Sequence, residues 1–131
     1  MARILVVDDD SRIHEDWEPR LISRGHTVIT ALNGGQGLHL ATAGHPDLII
    51  TDLVMPVMNG YDMVVAIRAA GLTMPILMSC GQLVETHRQM ALNDGVTEVI
   101  LKGESPDVLL AAIDRQLAKS GLKAVGTGGT Q

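Results

Sequence analysis

Phenylalanine is absent from the 131-residue chain, and the other aromatics amount to one Trp, Trp17, and one Tyr, Tyr61. A core without rings must be filled by Val, Ile, Leu and Ala, with 7 Met to fit irregular gaps. Cysteine is limited to Cys80, which excludes an internal disulfide and suits a reducing compartment. Positive charge is scarce: 10 Lys and Arg stand against 15 Asp and Glu, a net charge of −5, and the basic residues do not cluster. That argues against direct nucleic-acid binding by charge. Long apolar runs are missing as well. Met1-Ala2-Arg3 leads into a run, Ile4 to Val7, too short for a signal peptide or a membrane span. The expectation is a soluble, cytoplasmic protein.

What is present is 46% hydrophobic and 19% charged, the balance of a globular chain, and long enough for one domain with its own core. Five short apolar runs recur: Ile4 to Val7, Thr27 to Thr30, Leu48 to Thr51, Pro75 to Ser79, and Glu98 to Leu101. Their starts lie roughly 20–28 residues apart, the size of a βα unit. Runs such as Ile4-Leu5-Val6-Val7 do not alternate. They are apolar on both faces, as parallel strands covered by helices on both sides must be. The expected architecture is a doubly wound α/β domain, (βα)5, over residues 1–120, with residues 121–131 as a flexible, Gly-rich tail.

The helices are less evenly marked. The first should start near Ser11, capped by Asp10 or Ser11, with Ile13, Trp17 and Leu21 on one face. Pro19 should kink it or end it early, and Gly25 should close it. The second opens on Asn33-Gly34-Gly35-Gln36-Gly37, where each Gly costs up to about 1 kcal/mol relative to Ala, so that end should fray. Gly60 to Ala70 reads as the third, with Met63, Val64, Ile67 and Ala70 inward. Gln82 to Asn93 reads as the fourth, with Leu83, His87 and Met90 or Ala91 sharing a face, so that His87 is a packed core or edge residue. The fifth follows Ser105 as N-cap and Pro106 in the first turn, and buries Leu109, Ile113 and Leu117.

The chemistry gathers at strand ends. In an open α/β sheet, ligands bind at the carboxyl ends of the strands, near the topological switch point. The first run ends in Asp8-Asp9-Asp10, the third in Asp52, the fifth in Lys102. With strand order 2-1-3-4-5, strands one and three are neighbours and Asp8, Asp9 and Asp52 converge. Such carboxylates repel and need a cation or shifted protonation, and an oxygen-rich site of this kind suits Mg²⁺. Acids, a divalent metal and a lysine together suit phosphoryl transfer to a carboxylate. Asp10 reads better as a helix cap. The five His, at 14, 26, 39, 45 and 87, have no metal-ligand spacing.

The runs Ile4-Leu5-Val6-Val7-Asp8-Asp9-Asp10 and Pro46-Asp47-Leu48-Ile49-Ile50-Thr51-Asp52-Leu53-Val54-Met55-Pro56, with Met58-Asn59-Gly60 and Lys102, resemble the response-regulator receiver domain of two-component signalling over about residues 3–118. The resemblance implies a flavodoxin-like sheet and a phosphoryl group accepted on Asp52 from a sensor histidine kinase or phosphotransfer protein. It implies Mg²⁺ held by Asp9, Asp52 and the Val54 carbonyl, with Asp8 acting through water, and Lys102 paired with the phosphoryl group. It implies signalling through a downstream protein at the face of helix four, strand five and helix five.

Three positions depart from that family. Its strand-four hydroxyl position falls, by gap-free counting, on Cys80, with Ser79 one residue earlier; a one-residue slip turns a side chain to the other face, so Ser79 would need a bulge or a shortened strand. The aromatic switch position is Val99, and the usual Lys-Pro pair is Lys102-Gly103. The residues expected to tune self-hydrolysis are Val54 and Gln82. These departures keep a second reading open, a receiver-like binding module that works without phosphorylation. A true enzyme, such as a phosphatase with an aspartyl-phosphate intermediate, is disfavoured because no second acid is placed for leaving-group chemistry. Cys80 reads as a small buried filler rather than a reactive thiol.

Overall fold

The computed structural model of the chain describes residues 1–81 and 85–121, with only the backbone of 85 and 86. The expected tail beyond 121 and the positions Gln82 and Leu83 lie outside the described residues.

Five parallel strands, β1 (Arg3–Val7), β2 (Thr27–Ala31), β3 (Leu48–Asp52), β4 (Ile76–Cys80) and β5 (Glu98–Leu101), form one sheet in the order β2-β1-β3-β4-β5. The expected runs are the observed strands to within a residue, and the central ones, β1, β3 and β4, are apolar on both faces. Alternation then splits every strand between two cores. Ile4, Val6, Leu48, Ile50 and Leu77 pack with Leu21 of α1 (Ser11–Ser23) and with Leu109, Ile113 and Leu117 of α5 (Pro106–Lys119). Leu5, Val7, Ile49, Ile76 and Met78 pack on the other side with Ala41 of α2 (Gly34–Gly44), with Met63 and Ile67 of α3 (Gly60–Ala69), and with Ala91 of α4 (Glu85–Asn93).

Asp10 caps α1, its carboxylate accepting from Arg12 N–H at 3.0 Å. Pro19 does not end that helix, which continues to Ser23. The proline sits on the exposed side, and fully buried Leu21 anchors the turn beyond it. Gly25, at φ +88°, closes the segment as expected.

The second helix is the larger correction. Gly34 and Gly37 are buried, and α2 is helical from Gly34. A Cβ on Gly34 would collide with the Met58 carbonyl, and one on Gly37 with the Met63 sulfur and the Val7 methyls. These glycines let α2 approach its neighbours closely, and that packing replaces the expected fraying. Asn33 and Gln36 add reciprocal capping: Gln36 N–H donates to Asn33 Oδ1 at 2.9 Å, and Leu32 N–H to Gln36 Oε1 at 2.7 Å.

In α3, Met63, Val64 and Ile67 are buried, but Ala70 is the exposed C-cap rather than an inward residue. Among the described side chains of α4, Ala91 is the buried one; His87 and Met90 are exposed, Met90 at 51%. His87 is therefore not a packed core residue. Ser105 caps α5 ahead of Pro106, and Leu109, Ile113 and Leu117 are buried as expected.

Candidate functional site

Register brings the acids together. Val7 pairs with Thr51 in the β1–β3 ladder, so the next residues, Asp8 and Asp52, stand level at the carboxyl edge. Asp8 is 4% exposed and Asp52 9%, while Asp9 is exposed. Carboxylate oxygens of Asp8, Asp9 and Asp52 lie within 4.8 Å of one another. Lys102, one residue past β5, donates from Nζ to Asp52 Oδ2 at 3.0 Å. Leu53 N–H donates to Asp52 Oδ1 at 2.8 Å and fixes the carboxylate on its other side. Asp8 accepts from Asp10 N–H at 2.9 Å.

The electrostatics match this crowding. Burial, with the charges of Asp52 and Asp9, pushes the Asp8 pKa up, against the Asp10 N–H and Lys102. Burial works against the charge of Lys102, yet the hydrogen bond to Asp52 and the charges of Asp52, Asp8 and Asp9 prevail and raise its pKa. Two buried acids and an exposed one around a single lysine leave negative charge uncompensated. The donor set, three carboxylates at one edge, fits a hard cation such as Mg²⁺. Val54 itself is 74% exposed on the loop after β3. Asp10 is accounted for elsewhere: hydrogen bonding to Arg12 holds its carboxyl at about 2, with an Arg12–Asp10 ion pair at 2.8 Å.

Ser79 and Cys80 border Asp52 from different sides. Ser79 is the register partner of Asp52 in the β3–β4 ladder. No bulge is needed, because register partners in a parallel pair share a face. With Asp8, Asp52, Lys102, Trp17 and Leu109, Ser79 lines a cavity of about 360 Å³ under α1 and α5. Cys80, the last residue of β4, lines an opening with Asp52, Leu53, Val54 and Gly81. Burial and the Asp52 charge push its thiol pKa up, against Lys102, so it stays a thiol. Lys102 N–H donates to the Cys80 carbonyl at 2.7 Å, which ties the lysine to the end of β4.

Val99 is half-buried in β5 and borders an apolar groove of about 430 Å³ with Met78, Cys80, Met90 and Tyr61. Among the described residues, no aromatic side chain fills that space, and the His87 ring borders it. Tyr61 stands at the wall, its hydroxyl donating to Asp94. Gly103, at φ +90°, follows Lys102 in a left-handed conformation that suits glycine. Gln82 lies outside the described residues.

Three further groups support the site in roles that no spacing in the sequence marks. Gly60 N–H donates to the Leu53 carbonyl at 2.8 Å, and a Cβ there would collide with the Asp52 carbonyl. Thr51 Oγ1 donates to that same carbonyl at 2.8 Å. His14, buried on α1, places Nε2 2.8 Å from the Asp8 carbonyl.

Residues 4–114 match the family model of the response regulator receiver domain. The chain belongs to that family. PrrA, a transcriptional regulatory protein of Mycobacterium tuberculosis, is 32% identical over 128 residues, covering 98% of this chain but 55% of its own. The chain thus spans about half the length of such regulators. Protein PilH of Pseudomonas aeruginosa is 32% identical over 120 residues, covering 90% of this chain and 99% of its own. The solved structure of the chemotaxis protein CheY4 from Vibrio cholerae superposes with a TM-score of 0.83 at 34% identity, over 89% of this chain and 99% of that one. Receiver domains are signalling phosphoacceptors with an acidic Mg²⁺ pocket, and they interact with histidine kinases or phosphotransfer proteins and with downstream effectors. In this receiver domain, no helix among the described residues is long and apolar enough to cross a membrane.

Proposed function

We propose that this receiver domain accepts a phosphoryl group on Asp52 in a Mg²⁺-dependent reaction and signals through a partner protein. The observation that carries the reading is the Asp52 carboxylate, held at 3.0 Å by Lys102 Nζ beside Asp8 and Asp9. A carboxylate oxygen of Asp52 attacks the phosphorus of a phosphohistidine on a sensor kinase or phosphotransfer protein. The O–P bond forms as the N–P bond breaks, and the electron pair returns to the imidazole. Leu53 N–H orients the carboxylate, and Lys102 neutralises phosphoryl oxygens. Asp8, Asp9, Asp52 and the Val54 carbonyl would hold the Mg²⁺, which supplies charge neutralisation on the phosphoryl group. Cys80 takes the strand-four contact position, with the Ser79 hydroxyl as the neighbouring donor. Val99 takes the switch position, and the face of α4, β5 and α5 docks the downstream protein in the cytoplasm. Phosphoramidate with Mg²⁺ should add one phosphoryl group by intact mass. Equal labelling of Asp52→Asn would remove the proposal.

A second reading is favoured by one feature, the groove beside Val99 that no aromatic fills. It takes the domain as a binding module indifferent to phosphorylation. Partner affinity with and without beryllofluoride separates the two: equal affinity supports the module, and a difference supports the switch.

A further inference from the structure

Away from the acid site, buried polar groups gather at the opposite edge of the sheet, where the chain enters β1. His26, the residue before β2, is 4% exposed. Ala2 N–H donates to its Nδ1 at 3.2 Å. A backbone N–H is only a donor, so Nδ1 must offer a lone pair and the neutral ring must carry its proton on Nε2. Among the described residues that Nε2 has no hydrogen-bond partner; neither has Oδ1 of Asp114 nor Nε of Arg24, and all three atoms are buried. Among the described residues, the charged groups facing the ring come from three places: the N-terminal ammonium ahead of β1, Arg24 at the C-cap of α1, and Asp114 on α5. Arg24 donates to Asp114 Oδ2 at 2.6 Å, which leaves the other oxygen of that carboxylate unpaired.

We propose that His26 is an acid-released latch on the start of β1. The neutral ring accepts the Ala2 N–H, and Thr27 N–H donates to the Ala2 carbonyl at 2.8 Å, so the two ends of this residue are fastened to the edge of β2. Protonation puts a second N–H on the ring at Nδ1, facing the Ala2 N–H donor to donor. That hydrogen bond is lost, and a buried imidazolium remains with two cations and one carboxylate around it. The strain is relieved by freeing Ala2 from the ring or by turning the ring toward the unpaired oxygen of Asp114, and either motion opens the latch. Burial and the N-terminal ammonium, with Arg24, push the His26 pKa down against Asp114, so the closed form is the one held at neutral pH. The latch sits at the far end of β1 from Asp8, about 20 Å away at the rise of an extended strand. It is therefore an input separate from the acceptor.

The test is imidazole ¹⁵N NMR of the whole chain between about pH 5 and 8. The expected result is a neutral His26 with its proton on Nε2, a titration midpoint below about 6.5, and loss of Ala2 amide protection through the same midpoint. In parallel, urea unfolding is compared with His26→Asn, which keeps an acceptor near the Nδ1 position and does not titrate. Below about pH 6.5 the unfolding constant of the wild type should rise by up to about tenfold per pH unit more than that of the variant. A proton on Nδ1, a midpoint at or above about 6.5, or the same pH dependence in both proteins overturns the latch. If His26→Asn does not fold, the tautomer and midpoint in the wild type decide the matter.

Discussion

Asp8 is nearly fully buried beside Asp52 and Asp9. Burial first, then those two charges, raise its pKa above the ordinary 3.8. A group whose pKa is raised on folding contributes stability below its unfolded value and loses it as pH rises through the folded value. At neutral pH the metal-free acid pocket therefore works against folding. Asp8→Asn keeps the acceptor for Asp10 N–H and removes the charge, so its metal-free urea midpoint should lie above that of the wild type near pH 7. A lower midpoint would mean that the charge is compensated. Val57 holds a second local cost. It is β-branched, 88% exposed, and sits at φ +70° on the loop between Asp52 and α3. Val57→Gly should gain about 1 kcal/mol in chemical unfolding, because glycine adopts that conformation without the Cβ clash.

At the level of elements, the start of α3 is where fold and site meet. Gly60 N–H bonds the Leu53 carbonyl, and the missing Cβ leaves room for the Asp52 carbonyl. The collision in Gly60→Ala is with backbone, which cannot step aside. That substitution should cost about 2 kcal/mol of stability and slow phosphorylation, measured by urea denaturation and by the rate of phosphoramidate labelling. Unchanged values for both would show that the loop gives way. The strands were legible because runs such as Leu48 to Thr51 are apolar on both faces, and the convergence of Asp8 with Asp52 followed from strand order alone. The glycines of α2 were misread as weak helix formers because their role is set by Met58 and Met63, far along the chain. Spacing placed His87 on an inward face of α4, but among the described residues of that stripe only Ala91 reaches the core, at 4% exposure. Ser79 depended on its ladder partner, which no local pattern reveals. His26 carried no signal either, since Ala2 and Asp114 reach it only through the tertiary fold.

The whole molecule joins two ionisable centres through β1, with Asp8 at one end and the ring that holds Ala2 at the other. Their pH dependences have opposite sign: the contribution of His26 fades as pH falls below its ordinary 6.5, while the penalty at Asp8 fades as that acid protonates. A cation at the acid site adds stability by mass action, about 2.7 kcal/mol at a hundred times its dissociation constant. Mg²⁺ should raise the melting temperature of the wild type and leave that of Asp52→Asn nearly unchanged. Equal shifts in both proteins would place the cation elsewhere.

The central claim is that Asp52, rather than Asp8 or Asp9, carries the phosphoryl group. An acyl phosphate is reduced by borohydride to an alcohol, which marks the acceptor in a peptide map. After phosphoramidate and Mg²⁺, the account predicts homoserine at position 52 alone. Homoserine at position 8 or 9, or none at 52 despite added phosphate on the intact chain, would contradict it.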